Sequence, residues 1–131
     1  MSGTLSQKDD PYQHWEYLSL ETGDRLRIVP ERGGLITEWR CKGKEILYFD
    51  QERFLDKDKS VRGGVPILFP ICGDLPEGYF ISGKKYFLNQ HGFARTLPWK
   101  IKALKDNIGI RLSLSDNEET RSVFPFFFTI K

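Results

Sequence analysis

Apolar and polar residues alternate in short runs along most of the chain, and a period of two is typical of strands with one buried face. The alternation is clearest in residues 25–29, where Arg25 and Arg27 alternate with Leu26 and Ile28. Similar runs predict the other strands, at residues 15–21, 35–41, 45–49, 79–81, 85–88, 99–104, 108–114 and 123–131. No amphipathic stretch of ten or more residues predicts a helix. The pattern therefore indicates an all-β chain of the kind found in sandwiches and barrels.

Four segments do not fit the strand pattern. Residues 1–14 are polar and are expected to be a flexible N-terminus, which leaves residues 15–131 as the folded part. Residues 50–59 are mostly charged and predict a surface loop, with a short helical turn around Phe54 as the alternative. Residues 65–71 contain two prolines, so an irregular or edge segment is expected. Residues 115–121 predict a polar loop.

Composition narrows the classes of function. A chain of 131 residues suits one domain, and 20 basic against 18 acidic residues is too balanced for a nucleic-acid binder. No apolar run approaches the roughly 20 residues that a membrane span requires, and the polar start lacks the hydrophobic region of a signal peptide. Cys41 and Cys72 are expected to be reduced thiols. We therefore expect a cytoplasmic protein with neither nucleic-acid nor membrane partners.

Candidate chemistry concentrates between residues 89 and 99. Gln90, His91 and Arg95 lie on a connection between predicted strands, where scaffolds present binding groups. Amide, imidazole and guanidinium groups can bond sugar hydroxyls, the ring of Phe93 can cover a sugar's C–H face, and the arginine fork also suits a phosphate. Singly, each residue has a structural explanation: His91 could bond a backbone carbonyl, and an arginine could be a surface charge. The grouping is what indicates a sugar site.

Other motifs are excluded by their spacing. The pairs Gly33–Gly34 and Gly63–Gly64 lack the pattern of a dinucleotide or phosphate-binding loop. His14 and His91 are too far apart in sequence for a metal motif, and His14 is interpreted as incidental. The spacing of these residues therefore indicates neither a nucleotide-binding motif nor a metal motif.

Two motifs in combination resemble a known family. The sequence Arg62-Gly63-Gly64-Val65-Pro66-Ile67-Leu68-Phe69-Pro70, with Gln90-His91-Gly92-Phe93-Ala94-Arg95 and Pro98-Trp99, is similar to the aldose 1-epimerases, and especially to their hexose-6-phosphate mutarotase branch. Residues 30–34 and 117–120 also fit. The resemblance implies an antiparallel β-sandwich of the galactose mutarotase type, of which this chain looks like the N-terminal half. It also implies a cofactor-free isomerase that interconverts α and β anomers of an aldohexose or hexose-6-phosphate by acid–base ring opening.

The resemblance also implies roles for individual residues. Arg62, Gln90, His91 and Arg95 match substrate-binding positions, with an arginine contacting the phosphate in the phosphate-using branch. His91 is a possible catalytic residue. The family's general acid, a second histidine, and its general base, a glutamate, have no counterpart in this sequence. The alternative is therefore a non-catalytic carbohydrate-binding β-sandwich module.

The resemblance has a consequence for assembly. Further strands would cover one sheet face, so an edge and an apolar face are expected to be open. Residues 123–131 carry an aggregation-prone pattern, with Phe124, Phe126, Phe128 and Ile130 on one side. We expect the chain to self-associate through this C-terminal strand, or to be marginally folded.

Overall fold

Five consecutive strands form an antiparallel meander in which each strand pairs with the next. The computed structural model describes residues 2–131. The five strands are β1 (Gly3–Lys8), β2 (His14–Ser19), β3 (Arg25–Val29), β4 (Leu35–Cys41) and β5 (Lys44–Glu45). The predictions for residues 25–29 and 35–41 are confirmed, because one face of each of these strands is apolar and the other carries paired charges. On that face Glu38 accepts from Arg25 and lies 3.2 Å from the guanidinium of Arg27.

A hairpin and a smaller sheet follow. The hairpin is β6 (Tyr79–Ile81) with β7 (Lys84–Tyr86). The strands β8 (Lys100–Ala103), β9 (Ile110–Ser115) and β10 (Thr129–Ile130) form an antiparallel sheet in the order β10-β9-β8. Residues 65–71 form no regular strand and join neighbours through single bridges, at Val65 and Phe69, as their prolines indicate.

Two short helices stand where the sequence predicts loops. They are α1 (Gln51–Leu55) and α2 (Glu118–Val123). The carboxylate of Asp50 accepts from the backbone N–H of Arg53 at 3.0 Å, which caps α1. Asn117 and Thr120 form a reciprocal capping box at the start of α2. The helical turn around Phe54, which was the alternative for residues 50–59, is therefore confirmed. The loop predicted for residues 115–121 is wrong over α2, because its local cap outweighs the high content of charged side chains.

The N-terminal segment is a strand and not the flexible stretch predicted for residues 1–14. Every residue of β1 pairs with β2, from Gly3 opposite Ser19 to Lys8 opposite His14. After β1 the hydroxyl of the buried Tyr12 lies 2.7 Å from that of Thr37. The polar sequence is misleading because β1 is the edge strand of the meander and needs few apolar residues. Met1, which belongs to the same prediction, lies outside the described residues.

The C-terminal strand is much shorter than predicted. Only Thr129–Ile130 pairs with β9, and residue 123 still belongs to α2. The alternating phenylalanines serve a different purpose: the ring centroid of Phe69 lies 5.6 Å from that of Phe124 and 5.1 Å from that of Phe128. Period-two spacing therefore marks an aromatic cluster here, and Pro125 cannot donate to a ladder within it.

The hydrophobic core is divided into two clusters. Tyr12, Val29, Leu35 and Phe54 form one. Ala94, Trp99 and Leu114 form the other, with Phe69, Phe93 and Phe128 packed against it. The accessible surface is 8695 Å², whereas a folded monomer of 15.3 kDa is expected to expose roughly 7,100 Å². The chain therefore exposes considerably more surface than a closed domain of its size.

Acid is expected to destabilise the chain through Asp116. Its carboxylate accepts from the backbone N–H of Phe128 at 3.0 Å and pairs with Arg121. These contacts hold the pKa of Asp116 below its usual value of 3.8. A lowered pKa gives stability that is fully present above the usual value and is lost as the pH falls through the lowered one.

Urea denaturation between pH 2 and pH 7 would measure this loss. Asp116→Asn is expected to be less stable at neutral pH and less dependent on pH in the acid range. An unchanged slope of stability against pH in this variant would contradict the assignment.

Candidate functional site

His91 is held in an unusual conformation by the loop at Gly73. Its φ is +63°, in the left-handed region that few side chains adopt. Its backbone N–H donates to the Gly73 carbonyl at 2.7 Å, and the Gly73 N–H donates to its Nδ1 at 2.8 Å. Because Nδ1 accepts, the proton of the neutral ring lies on Nε2, for which residues 2–131 supply no hydrogen-bond partner. The half-buried ring therefore has one free donor.

The backbone carbonyl of Phe69 joins residues 62–70 to residues 90–95. The Phe69 carbonyl accepts from the backbone N–H groups of Phe93, at 2.9 Å, and Ala94, at 3.1 Å. Gly92 passes directly over this carbonyl with φ +71°, and a Cβ added there would overlap the Phe69 oxygen. The glycine is therefore required by a close approach of two backbones as well as by its φ.

A third motif, residues 30–34, is bonded to the same region. The N–H of Gly33 donates to the Leu97 carbonyl at 3.0 Å, and the N–H of Trp99 donates to the Pro30 carbonyl at 2.8 Å. The indole Nε1 of Trp99 also donates to the Ala94 carbonyl at 2.8 Å. Residues 30–34, 62–70 and 90–99, far apart in sequence, are thus fixed to one another by backbone bonds.

Two of the clefts beside this junction are lined by Arg95. The first has a volume of about 360 Å³, and its lining includes Phe87, Gln90, Phe93, Arg95 and Glu119. The second has a volume of about 670 Å³, and its lining includes Arg32, Lys57, Lys59, Gly63, Gly64 and Arg95. Arg95 and Thr96 line both clefts and so form a shared wall.

The structure brings together two of the four predicted site residues. Gln90 and Arg95 share the first cleft, and a guanidinium N–H of Arg95 donates to the Gln90 carbonyl at 3.2 Å. Arg62 is exposed and directly precedes Gly63 of the second cleft, but lines neither cleft. His91 also lines neither, because its ring is bonded to Gly73.

Sequence reasoning missed three cations of the second cleft. Lys57 and Lys59 fall in the stretch interpreted as a solvated loop, and Arg32 was part of a motif noted only for its fit to the family. Another histidine was misjudged: His14 is buried, with its Nδ1 donating to the Tyr12 carbonyl at 2.8 Å. The sequence signal for its burial was the spacing of two residues between Tyr12 and His14, which places both side chains on one face of an extended segment.

Two other kinds of site are absent from the described part of the chain. Across residues 2–131, three or more His, Cys, Asp or Glu side chains are nowhere grouped so that they could hold a metal ion. The helices described in that range are all too short or too polar to cross a membrane.

Solved structures share this fold. A crystal structure of a protein from Synechocystis sp. PCC 6803 is 48% identical, with a TM-score of 0.76 over 97% of this chain and 41% of that chain. A galactose mutarotase related enzyme from Lactobacillus acidophilus is 26% identical, with a TM-score of 0.67 over 96% of this chain and 37% of that chain. The predicted antiparallel β-sandwich of the galactose mutarotase type is thereby confirmed, as a fragment.

Sequence comparisons agree with the structural ones. Proteins provisionally named glucose-6-phosphate 1-epimerase, from Escherichia coli and Salmonella typhimurium, are 29% and 33% identical over 103 residues. Each match includes 76% of this chain, which spans about a third (32%) of the length of those relatives. A sequence model of the family described as aldose 1-epimerase matches residues 16–131. The chain belongs to the aldose 1-epimerase family.

Proposed function

We propose that the chain provides the sugar-binding wall of an aldose 1-epimerase acting on an aldohexose or hexose-6-phosphate. The observation that supports this most is the first cleft, where Gln90 and Arg95 face a space of about 360 Å³ beside Phe87 and Phe93. This volume lies within the range of small-molecule pockets. An amide and a guanidinium can bond vicinal hydroxyls, while an aromatic ring covers the C–H face of the sugar.

The reaction needs two proton transfers. An acid protonates the ring oxygen as its bond to the anomeric carbon breaks, and a base removes the proton of the anomeric hydroxyl to give the open aldehyde. Rotation of the aldehyde and reclosure produce the other anomer. In our proposal His91, which lies between Gln90 and Gly92 of the first cleft without lining it, donates from its free Nε2 to a hydroxyl at the edge of the bound sugar. No second histidine is placed to act, since His14 is buried with Nδ1 engaged by Tyr12. We therefore expect this chain alone to bind sugar without supplying both the acid and the base.

Exchange spectroscopy on glucose 6-phosphate anomers tests the proposal. With the 131-residue chain we expect saturable binding, but no acceleration of anomer exchange over buffer. Acceleration that disappears in His91→Ala would show that the chain is itself an active epimerase and would contradict the second part of the proposal. Absence of saturable binding to both glucose and glucose 6-phosphate would overturn the sugar-binding function.

Arg95 is expected to distinguish phosphorylated from free sugars. Charge-assisted bonds to phosphate contribute more than neutral bonds to hydroxyls, so Arg95→Ala is expected to weaken binding of glucose 6-phosphate about tenfold or more. Binding of glucose should fall much less. Titration calorimetry of both ligands measures these losses. The same measurement on Arg62→Ala tells whether the exposed Arg62 also reaches the phosphate. Equal losses for both ligands would reject a phosphate contact.

A further inference from the structure

The second cleft has a strongly positive lining. Four cationic side chains, those of Arg32, Lys57, Lys59 and Arg95, face it together with one carboxylate, that of Asp58. The whole chain has a net charge of only +2, so this local excess is not a reflection of a basic protein. A concave surface of one sign raises the local concentration of ions of the opposite sign.

Two of these cations are arginines that have no acidic partner. Arg32 and Arg95 are both half-buried, and neither forms an ion pair within residues 2–131. Other half-buried arginines differ: Arg25, Arg27 and Arg121 pair with carboxylates, and Arg53 donates to Ser60. A partly desolvated charge is costly unless it is paired. The second cleft therefore holds two guanidinium groups, those of Arg32 and Arg95, that are available to pair with an anion.

Arg32 is also held in place for binding. Its guanidinium carbon lies 4.7 Å from the ring centroid of Phe54, a residue of the first core cluster. Nη1 makes one long bond, of 3.4 Å, to the Phe54 carbonyl. Most of the five N–H groups of the Arg32 guanidinium remain available to a ligand. None of its nitrogens is a fully buried atom that lacks a hydrogen-bond partner. The side chain has therefore lost much of its freedom before a ligand arrives, which lowers the entropic cost of binding.

We propose that Arg32 is a specificity-determining residue, which selects substrates whose phosphate binds in the second cleft. The phosphate lies between Arg32 and Arg95, while Lys57 and Lys59 attract it electrostatically. Because Arg95 lines both clefts, a sugar phosphate can place its ring beside Gln90 and its phosphate across the shared wall. The position of the ring rests on the proposed function, whereas the anion subsite rests on the second cleft alone.

Titration calorimetry of the full chain with inorganic phosphate, glucose 6-phosphate and glucose tests this assignment. Arg32→Gln is expected to weaken the binding of inorganic phosphate and of glucose 6-phosphate about tenfold, because a charge-assisted bond is lost. The binding of glucose should weaken less than twofold. Arg32→Lys keeps the positive charge but loses the planar guanidinium fork, so its affinity for phosphate should lie between those of the parent chain and Arg32→Gln. Lys57→Gln and Lys59→Gln should each weaken phosphate binding about twofold to threefold at low salt, and less at high salt. The control is Arg111→Gln, an exposed arginine on β9 outside this cleft.

The outcomes separate this inference from the proposed function. Unchanged phosphate affinity in Arg32→Gln, with thermal stability equal to that of the parent, overturns the subsite, even if glucose still binds. An equal loss for glucose also overturns it, because it would indicate a structural role. If Arg32→Gln unfolds, Arg32→Lys and the two lysine variants decide in its place. If Arg32→Gln loses inorganic phosphate, while the parent chain does not bind glucose and binds glucose 6-phosphate no more tightly than inorganic phosphate, the subsite is supported and the sugar-binding proposal is contradicted.

Discussion

Gly92→Ala is expected to destabilise the folded chain strongly. The added Cβ would overlap the Phe69 carbonyl, and φ +71° is unfavourable for alanine. Left-handed strain and overpacking against an immovable backbone together cost roughly 3–5 kcal/mol, which is a large part of the stability of a domain of this size. The two bonds that the Phe69 carbonyl accepts would also be disturbed. Urea denaturation followed by tryptophan fluorescence measures the loss.

A matched glycine separates the two contributions. Gly23 has nearly the same φ, +74°, but an added Cβ there would meet no atom within 4 Å. Gly23→Ala is therefore expected to lose only the strain, about 1–2 kcal/mol. If the two variants lose equal amounts of stability, the contact between Gly92 and Phe69 adds nothing.

The isolated chain is expected to self-associate through its C-terminal edge. β10 is the outer strand of its sheet, so one side of its backbone has no strand partner among the described residues. Beside it, Phe127 is 86% exposed and Phe126 is 42% exposed. Unpaired edges next to apolar side chains recruit further strands. The excess surface of roughly 1,500 Å² per chain exceeds the roughly 800 Å² that each partner buries in a standard interface. Sedimentation should therefore show a dimer or a larger species.

A charge beside the edge should prevent this association. Phe127→Lys is expected to raise the dissociation constant at least tenfold, because an ammonium group would have to be buried without a partner. Phe80→Lys is the control, since Phe80 is 66% exposed but lies on the separate β6–β7 hairpin. A sharply melting monomer for the parent chain, or equal effects of the two variants, would contradict association through β10.

Alternation predicted strands well where one face packs and the other pairs charges. This holds for β3 and β4, whose sequences need no information from distant residues. The rule was wrong for residues 123–131, because the phenylalanines there pack against Phe69 and Phe93, which lie far away in sequence. It also missed β1, where an edge position allows a polar sequence.

The candidate site was predictable in its composition but not in its geometry. Gln90 and Arg95 could be identified because polar side chains of complementary chemistry lie close together in sequence. The contribution of Arg32 could not, since it depends on stacking against Phe54 and on a cleft shared with Arg95. The orientation of His91 likewise depends on a tertiary bond to Gly73. The substrate-binding roles of Arg62, Gln90, His91 and Arg95 remain predictions.

The meander and the clefts differ in how their contacts are distributed along the chain. Within the meander, each of the strands β1 to β5 pairs with its neighbours in sequence, and such local pairing costs little loop-closure entropy. The bonds from Gly33 to Leu97 and from Trp99 to Pro30 join distant segments and can form only after long loops have closed. During synthesis and refolding, the five-stranded sheet should therefore be established first. The clefts would be completed last, by the same long-range closures that are the slow steps in β-proteins.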